Sequence, residues 1–171
     1  KVTGNRMDAV RTGIQLDNNY QAAPTANYAP ELSGNQIQAK RVGIWANLFY
    51  QSASTYHVTN NTITAASGGA GQWSGIWVES MQDAQTIELA SNTIDASGAD
   101  AGRTRVGYLL NNIVSSAASS AAIGGGGVSN VDIGVLATDA TRYTGSVNDF
   151  VVRDVDFVNI AKGALYVEDT T

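Results

Sequence analysis

Six short segments of this chain open on glycine and continue with apolar residues at alternate positions: GIQL from 13, GIWA from 43, GIWV from 75, GYLL from 107, GVLA from 134 and GALY from 163. Their glycines, Gly13, Gly43, Gly75, Gly107, Gly134 and Gly163, lie 30, 32, 32, 27 and 29 residues apart. Upstream of each stands a second pattern, an apolar residue and then another five positions on, with a turn residue between them. Val2-Asn5-Met7, Leu32-Asn35-Ile37, Val58-Asn61-Ile63 and Leu89-Asn92-Ile94 follow it, and Ile123-Gly126-Val128 and Val152-Val155-Phe157 follow it with Gly or Val in the Asn place. Alternation of this kind marks strands that bury one face. Each copy therefore predicts three strands: strand one led by the glycine, and strands two and three on either side of the asparagine. A unit of about 30 residues cannot bury its apolar side alone, and stacking the copies buries them together.

This pattern resembles the right-handed parallel β-helix, the coil of pectate-lyase-like enzymes, phage tailspikes and bacterial surface passengers, and the resemblance covers the whole chain. It implies an all-β solenoid of about six three-strand rungs forming a single domain over residues 1–171. The chain opens at Lys1 without a methionine or a signal sequence, which suggests a segment of a longer solenoid or fibre. The resemblance also implies a secreted or cell-surface bacterial protein.

Composition agrees. Charged residues are 15% of the chain and hydrophobic ones 43%, too apolar for a disordered tail and too poor in helix-forming charged residues for a bundle. A net charge of −5 argues against nucleic acid as a partner. There is no cysteine, hence no disulfide and no thiolate metal site. No apolar run is long enough for a membrane span.

Asn5, Asn35, Asn61 and Asn92 stand at one corner of successive coils. Asparagine tolerates turn geometry, and stacked amides can bond one another as a structural ladder. Gly126 and Val155 interrupt that column, so the last two rungs should differ locally.

Alternation along strand one places Ile14, Ile44, Ile76, Tyr108, Val135 and Ala164 inside. It places Gln15, Trp45, Trp77, Leu109, Leu136 and Leu165 outside. At a rung spacing of about 4.8 Å, five of these outward residues make an apolar stripe of roughly 20 Å. Asp17, Asn47, Glu79, Asn111, Thr138 and Val167 follow on one edge, with Arg11, Arg41, Trp73 and Arg105 two residues before the glycines. The two long spacers, TAASGGAGQWS and DASGADAGRTR, should stack as a ridge on one side. DNNYQAAPTANYAPE should form the opposite wall.

The expected site is thus a shallow groove with Trp45, Trp77 and Leu109 on its floor and Asn47, Glu79 and Trp73 at its edges. A sugar ring can stack on tryptophan while amides and carboxylates bond its hydroxyls. A protein partner is the other natural cover for such a stripe. Acid–base chemistry has weak candidates. Asp17 and Glu79 face one way two rungs apart, about 10 Å, the gap of an inverting glycosidase. Arg41 or Arg105 could act as the base of a lyase, which would also need a calcium cluster that Asp17 and Glu79 are too scattered to form. His57 is the only histidine, so no two-histidine metal site is expected, and no cofactor. The reading favours a non-catalytic extracellular module, an adhesive stalk or glycan-contact surface. The core of a polysaccharide lyase or glycoside hydrolase, with its cleft over the glycine-led strand, is the alternative. Uncapped end rungs further suggest end-to-end self-association.

Overall fold

The computed structural model describes residues 1–17, 29–48, 55–81, 85–111, 113, 120–138 and 149–168. Most of DNNYQAAPTANYAPE, expected as a wall of the groove, lies outside them. In chain order the strands are β1 (Val2–Thr3), β2 (Arg6–Asp17), β3 (Glu31–Ser33), β4 (Gln36–Asn47), β5 (Thr55–Thr59), β6 (Thr62–Ala65), β7 (Trp73–Glu79) and β8 (Thr86–Ala90). Then follow β9 (Thr93–Asp95), β10 (Arg105–Asn111), β11 (Ser120–Gly124), β12 (Gly127–Ser129), β13 (Ile133–Thr138), β14 (Asp149–Arg153), β15 (Asp156–Val158) and β16 (Gly163–Glu168). There is no helix among the described residues.

The chain is an all-β parallel solenoid. One sheet stacks the second strand of every copy in the order β1-β3-β5-β8-β11-β14. The other runs β15-β12-β9-β6-β4-β7-β10-β13-β16, with β2 beside β4. In the first two coils strands three and one are continuous, as β2 and β4, whereas in the last two, with the same six-residue spacing, they are separate strands. The long spacers break that strand into β6 and β7, and into β9 and β10. The solenoid makes about four full turns where the repeat predicts about six rungs. The first and last copies have a neighbouring coil on one side only.

Stacked apolar columns fill the coil. Ile14, Ile44, Ile76, Tyr108 and Val135 lie in register, as do Ile37, Ile63, Ile94, Val128 and Phe157. The Leu32, Val58, Leu89 and Ile123 column completes the triangle. The members of these columns in the interior coils are buried. Each such side chain contributes about 1.5–3 kcal/mol by leaving water.

The glycine that leads strand one is required by close approach. A methyl group on Gly75 would lie 2.5 Å from Ile94 Cγ2 and 2.7 Å from the Gly107 carbonyl oxygen of the next coil. Gly13, Gly43, Gly107 and Gly134 meet the equivalent carbonyl of the following coil at 2.5 Å.

The asparagine ladder forms as expected. Nδ2 of Asn5, Asn35 and Asn61 donates to Oδ1 of Asn35, Asn61 and Asn92 at 2.9, 2.9 and 3.0 Å. The backbone N–H of each donor residue reaches the same oxygen at 3.0 Å. The left-handed turn residue, however, is the one before: Gly4, Gly34, Asn60, Ser91, Gly125 and Asp154 have φ between 54° and 67°. The ladder asparagines themselves need no such conformation, so their amides are free to face along the coil axis. At the fifth rung Gly126 (φ 73°) takes the ladder place, since a Cβ there would press on the Asn92 backbone.

One register differs from the repeat. Val135 pairs with Leu165, Leu136 with Tyr166, and Thr138 with Glu168. The last coil carries one extra residue between Phe157 and its strand one, so Tyr166 and Glu168, not Leu165 and Val167, take the outward places. Ala164, not Gly163, sits in the glycine column.

Candidate functional site

Trp45 and Trp77 occupy the same outward position on β4 and β7. Their rings stack with centroids 5.3 Å apart and 21° between planes, so each spends one face on the other. Trp45 Nε1–H donates to Glu79 Oε1 at 2.8 Å. Trp77 packs against a small apolar cluster outside the coil, formed by Val106, Leu109, Ile133 and Leu136. The stripe is therefore only partly free. Both tryptophans are half-buried, while Leu109 and Leu136 retain 7% and 9% exposure. The residues one place before each glycine, among them Val106 and Ile133, also turn outward and close over the leucines.

A groove of about 940 Å³ runs over this face. Trp77, Leu109 and Leu136 form its floor, with Asn111, Thr138 and Glu168 along one edge. Arg11, Lys40, Arg41 and the spacer residues Gly68 to Gln72 form the other. The ridge expected from the long spacers is present and tied down. Asp100 Oδ2 accepts from the backbone N–H of Gly68 and Gly69 at 2.9 and 3.2 Å. The Arg103 guanidinium, whose side chain is nearly buried, donates to the carbonyls of Lys40 at 2.8 Å and Gly71 at 2.7 Å.

The cations beside this ridge owe their position to a bulge. Val10 pairs with Ala39 and Thr12 with Val42, so Lys40 and Arg41 together oppose the single residue Arg11. Bulges of this kind re-aim side chains. An offsetting bulge at Ala9, with φ 52°, restores the register. No ion pair of the described residues engages Arg11, Lys40 or Arg41.

Two expected site residues lie elsewhere. Trp73 is fully buried, and its Nε1–H donates to the Ala39 carbonyl at 3.0 Å. The chain bends at Gly75 so that both Gly75 and Ile76 face inward, which returns Trp73 to the inside and into the wider section opened by the long spacer. Arg105 is tied to Asp132, with Nε to Oδ2 at 3.3 Å and its backbone N–H to the same oxygen at 2.7 Å. Burial alone would raise the Asp132 carboxyl. The Arg105 hydrogen bonds, with the charges of Arg105 and Lys162, outweigh it and hold that carboxyl below its ordinary value.

Asp17, Asn47 and Glu79 stack in one column, as the alternation predicts. Asp17 is exposed and Glu79 half-buried. Burial raises the Glu79 carboxyl; the Trp45 hydrogen bond opposes this and the Asp17 charge adds to it, leaving a net upward shift. Among the described residues two buried polar atoms here lack partners: Trp77 Nε1 and Asn47 Oδ1. Trp77 has no counterpart of the Trp45–Glu79 bond, because the next coil offers Asn111, whose Oδ1 accepts from Thr138 Oγ1 at 3.3 Å. The role of Lys40 and of the bulge was not legible in the glycine count, which registers only positions near strand one. A two-residue cationic run, Lys40-Arg41, aligned with Arg11 one repeat earlier, was the available signal.

Among the described residues no group of three His, Asp or Glu side chains is placed to hold a metal ion, and no helix is long and apolar enough to cross a membrane. Comparisons with protein-family models, with curated proteins and with solved structures find no match to this chain.

Proposed function

We propose that this chain is a non-catalytic, extracellular glycan-contact module of a bacterial surface or secreted protein, and that the groove over β7, β10 and β13 holds the glycan. The observation that carries this reading is the combination in one groove of a tryptophan floor and three cations, Arg11, Lys40 and Arg41, that no ion pair of the described residues engages. An apolar floor with few oriented polar groups is the usual make-up of a small-ligand or sugar site. Arg11, Lys40 and Arg41 would favour a glycan that carries negative charge. A protein partner would find the same floor, but the floor is short and its leucines are already largely covered, which leaves little apolar area for an interface core.

One observation favours a second reading, a glycoside hydrolase: Glu79 holds its proton above the ordinary carboxylate range, and Asp17 shares its column. A carboxyl held above its ordinary value is what a general acid requires. A panel of acidic and neutral polysaccharides, assayed for binding and for new reducing or unsaturated ends, separates the two. The module binds without releasing ends, and Trp77→Ala abolishes that binding. Release of ends that is lost in Glu79→Gln would establish the hydrolase.

A further inference from the structure

The first and last described coils present unequal faces, and two columns show how. In the glycine column, every coil that has a coil above it presents glycine, because the next coil's carbonyl oxygen lies 2.5–2.7 Å from where a Cβ would stand. That carbonyl is backbone and cannot swing aside. In the ladder column, Asn5, Asn35 and Asn61 each donate from Nδ2 to Oδ1 of the next coil's asparagine. A coil laid onto the first coil must therefore carry glycine beneath the Gly13 carbonyl, and an amide beneath Asn5 Oδ1 would extend the ladder. The last coil of this chain carries neither. The extra corner residue moves Gly163 opposite Ile133 and brings Ala164 into the glycine column. Val155 takes the ladder place.

We propose that the first-coil face accepts only a parallel coil with glycine in the first of these columns and favours asparagine in the second, and that Ala164 bars this chain's own last coil from it. Copies of the chain do not stack end to end, contrary to what open rungs alone suggest. The last coil is apolar enough to stick, with Val151, Val158, Leu165, Tyr166 and Val167 each about half exposed. What is missing is fit: the Ala164 methyl holds the incoming Gly13 carbonyl away, and without close approach the ladder of backbone hydrogen bonds between coils cannot form. This inference is independent of the glycan reading.

The test is a gain of function. Molar mass is measured by light scattering across a hundredfold concentration range for the native chain, for Val155→Asn/Ala164→Gly, and for that double variant with Met7→Lys added. Circular dichroism checks that each keeps its β signal. The native chain stays monomeric. The double variant grows in mass with concentration as an open head-to-tail series, and Met7→Lys, which places a charge on the opposite face, returns it to monomer. End-to-end growth of the native chain would overturn the proposal. So would a folded double variant that stays monomeric, or growth that survives Met7→Lys.

Discussion

Trp45 lies against Trp77 at 5.3 Å and anchors its own indole to the Glu79 carboxylate beyond it. One tryptophan lines the groove, and the other backs it. This division of labour predicts different outcomes for the two. Trp77→Ala should abolish glycan binding at a modest cost in stability, about 1–2 kcal/mol for the lost half-buried ring. Trp45→Phe should keep the stack but lose the Glu79 bond, weakening affinity by less than tenfold. Titration calorimetry with chemical denaturation of both variants checks this.

The carboxylates in and near the groove should give stability two opposite dependences on pH. Glu79 has a raised native pKa, so its favourable contribution is complete below the ordinary glutamate value and is lost as pH rises through the native value. Glu79→Gln should therefore gain on the native chain near neutrality and lose that advantage in acid. Asp132 has a depressed native pKa, so its contribution is present above the ordinary aspartate value and disappears as pH falls through the native one. Asp132→Asn should cost stability at pH 7 and nothing at low pH. Urea denaturation midpoints across pH 2 to 8 measure both slopes.

The ladder should be most costly to break at its centre. Asn61 is buried and serves three partners, accepting from Asn35 and donating to Asn92 Oδ1 and the Leu32 carbonyl. Asn61→Leu leaves those groups unsatisfied, and each buried orphan costs about 1–3 kcal/mol. Asn5→Leu, at the exposed first rung, should cost under about 1 kcal/mol. Equal losses at the two positions, measured by denaturation, would show that the ladder carries no stability of its own.

Glycines of the two kinds should separate cleanly. Gly75→Ala forces a methyl against Ile94 and the Gly107 carbonyl, and overpacking against backbone costs about 1–3 kcal/mol or more. Gly71 has open space around it but φ 71°, so Gly71→Ala should cost about 1 kcal/mol through backbone strain alone. Shortening the Ile94 side chain in Ile94→Ala should not rescue Gly75→Ala, because the carbonyl remains.

The coil, its three strands and the asparagine column were legible in the sequence because the strand pattern repeats in every copy and the asparagine in four of the six. Three features were not, and each has a local cause. Counting back from Gly75 puts Trp73 at the groove, but two successive residues face inward at that bend, which breaks the alternation. Leu165 and Val167 were placed outward by counting from Gly163, and one extra corner residue in the last coil moved Tyr166 and Glu168 there instead. The stripe was read as open, yet Val106 and Ile133 close over Leu109 and Leu136. Alternation states which side of a strand a residue takes and says nothing of what else lies on that side.

The central claim, that this groove is a glycan-contact surface without catalysis, is tested most directly by titrating the polysaccharide panel into the native chain and Trp77→Ala in parallel, with an assay for new chain ends in the same samples. The account predicts saturable binding of an acidic polysaccharide, weakened by added salt, lost in the folded Trp77→Ala variant, and accompanied by no new ends. Absence of binding across the panel, binding that Trp77→Ala leaves intact, or the appearance of new ends would contradict it.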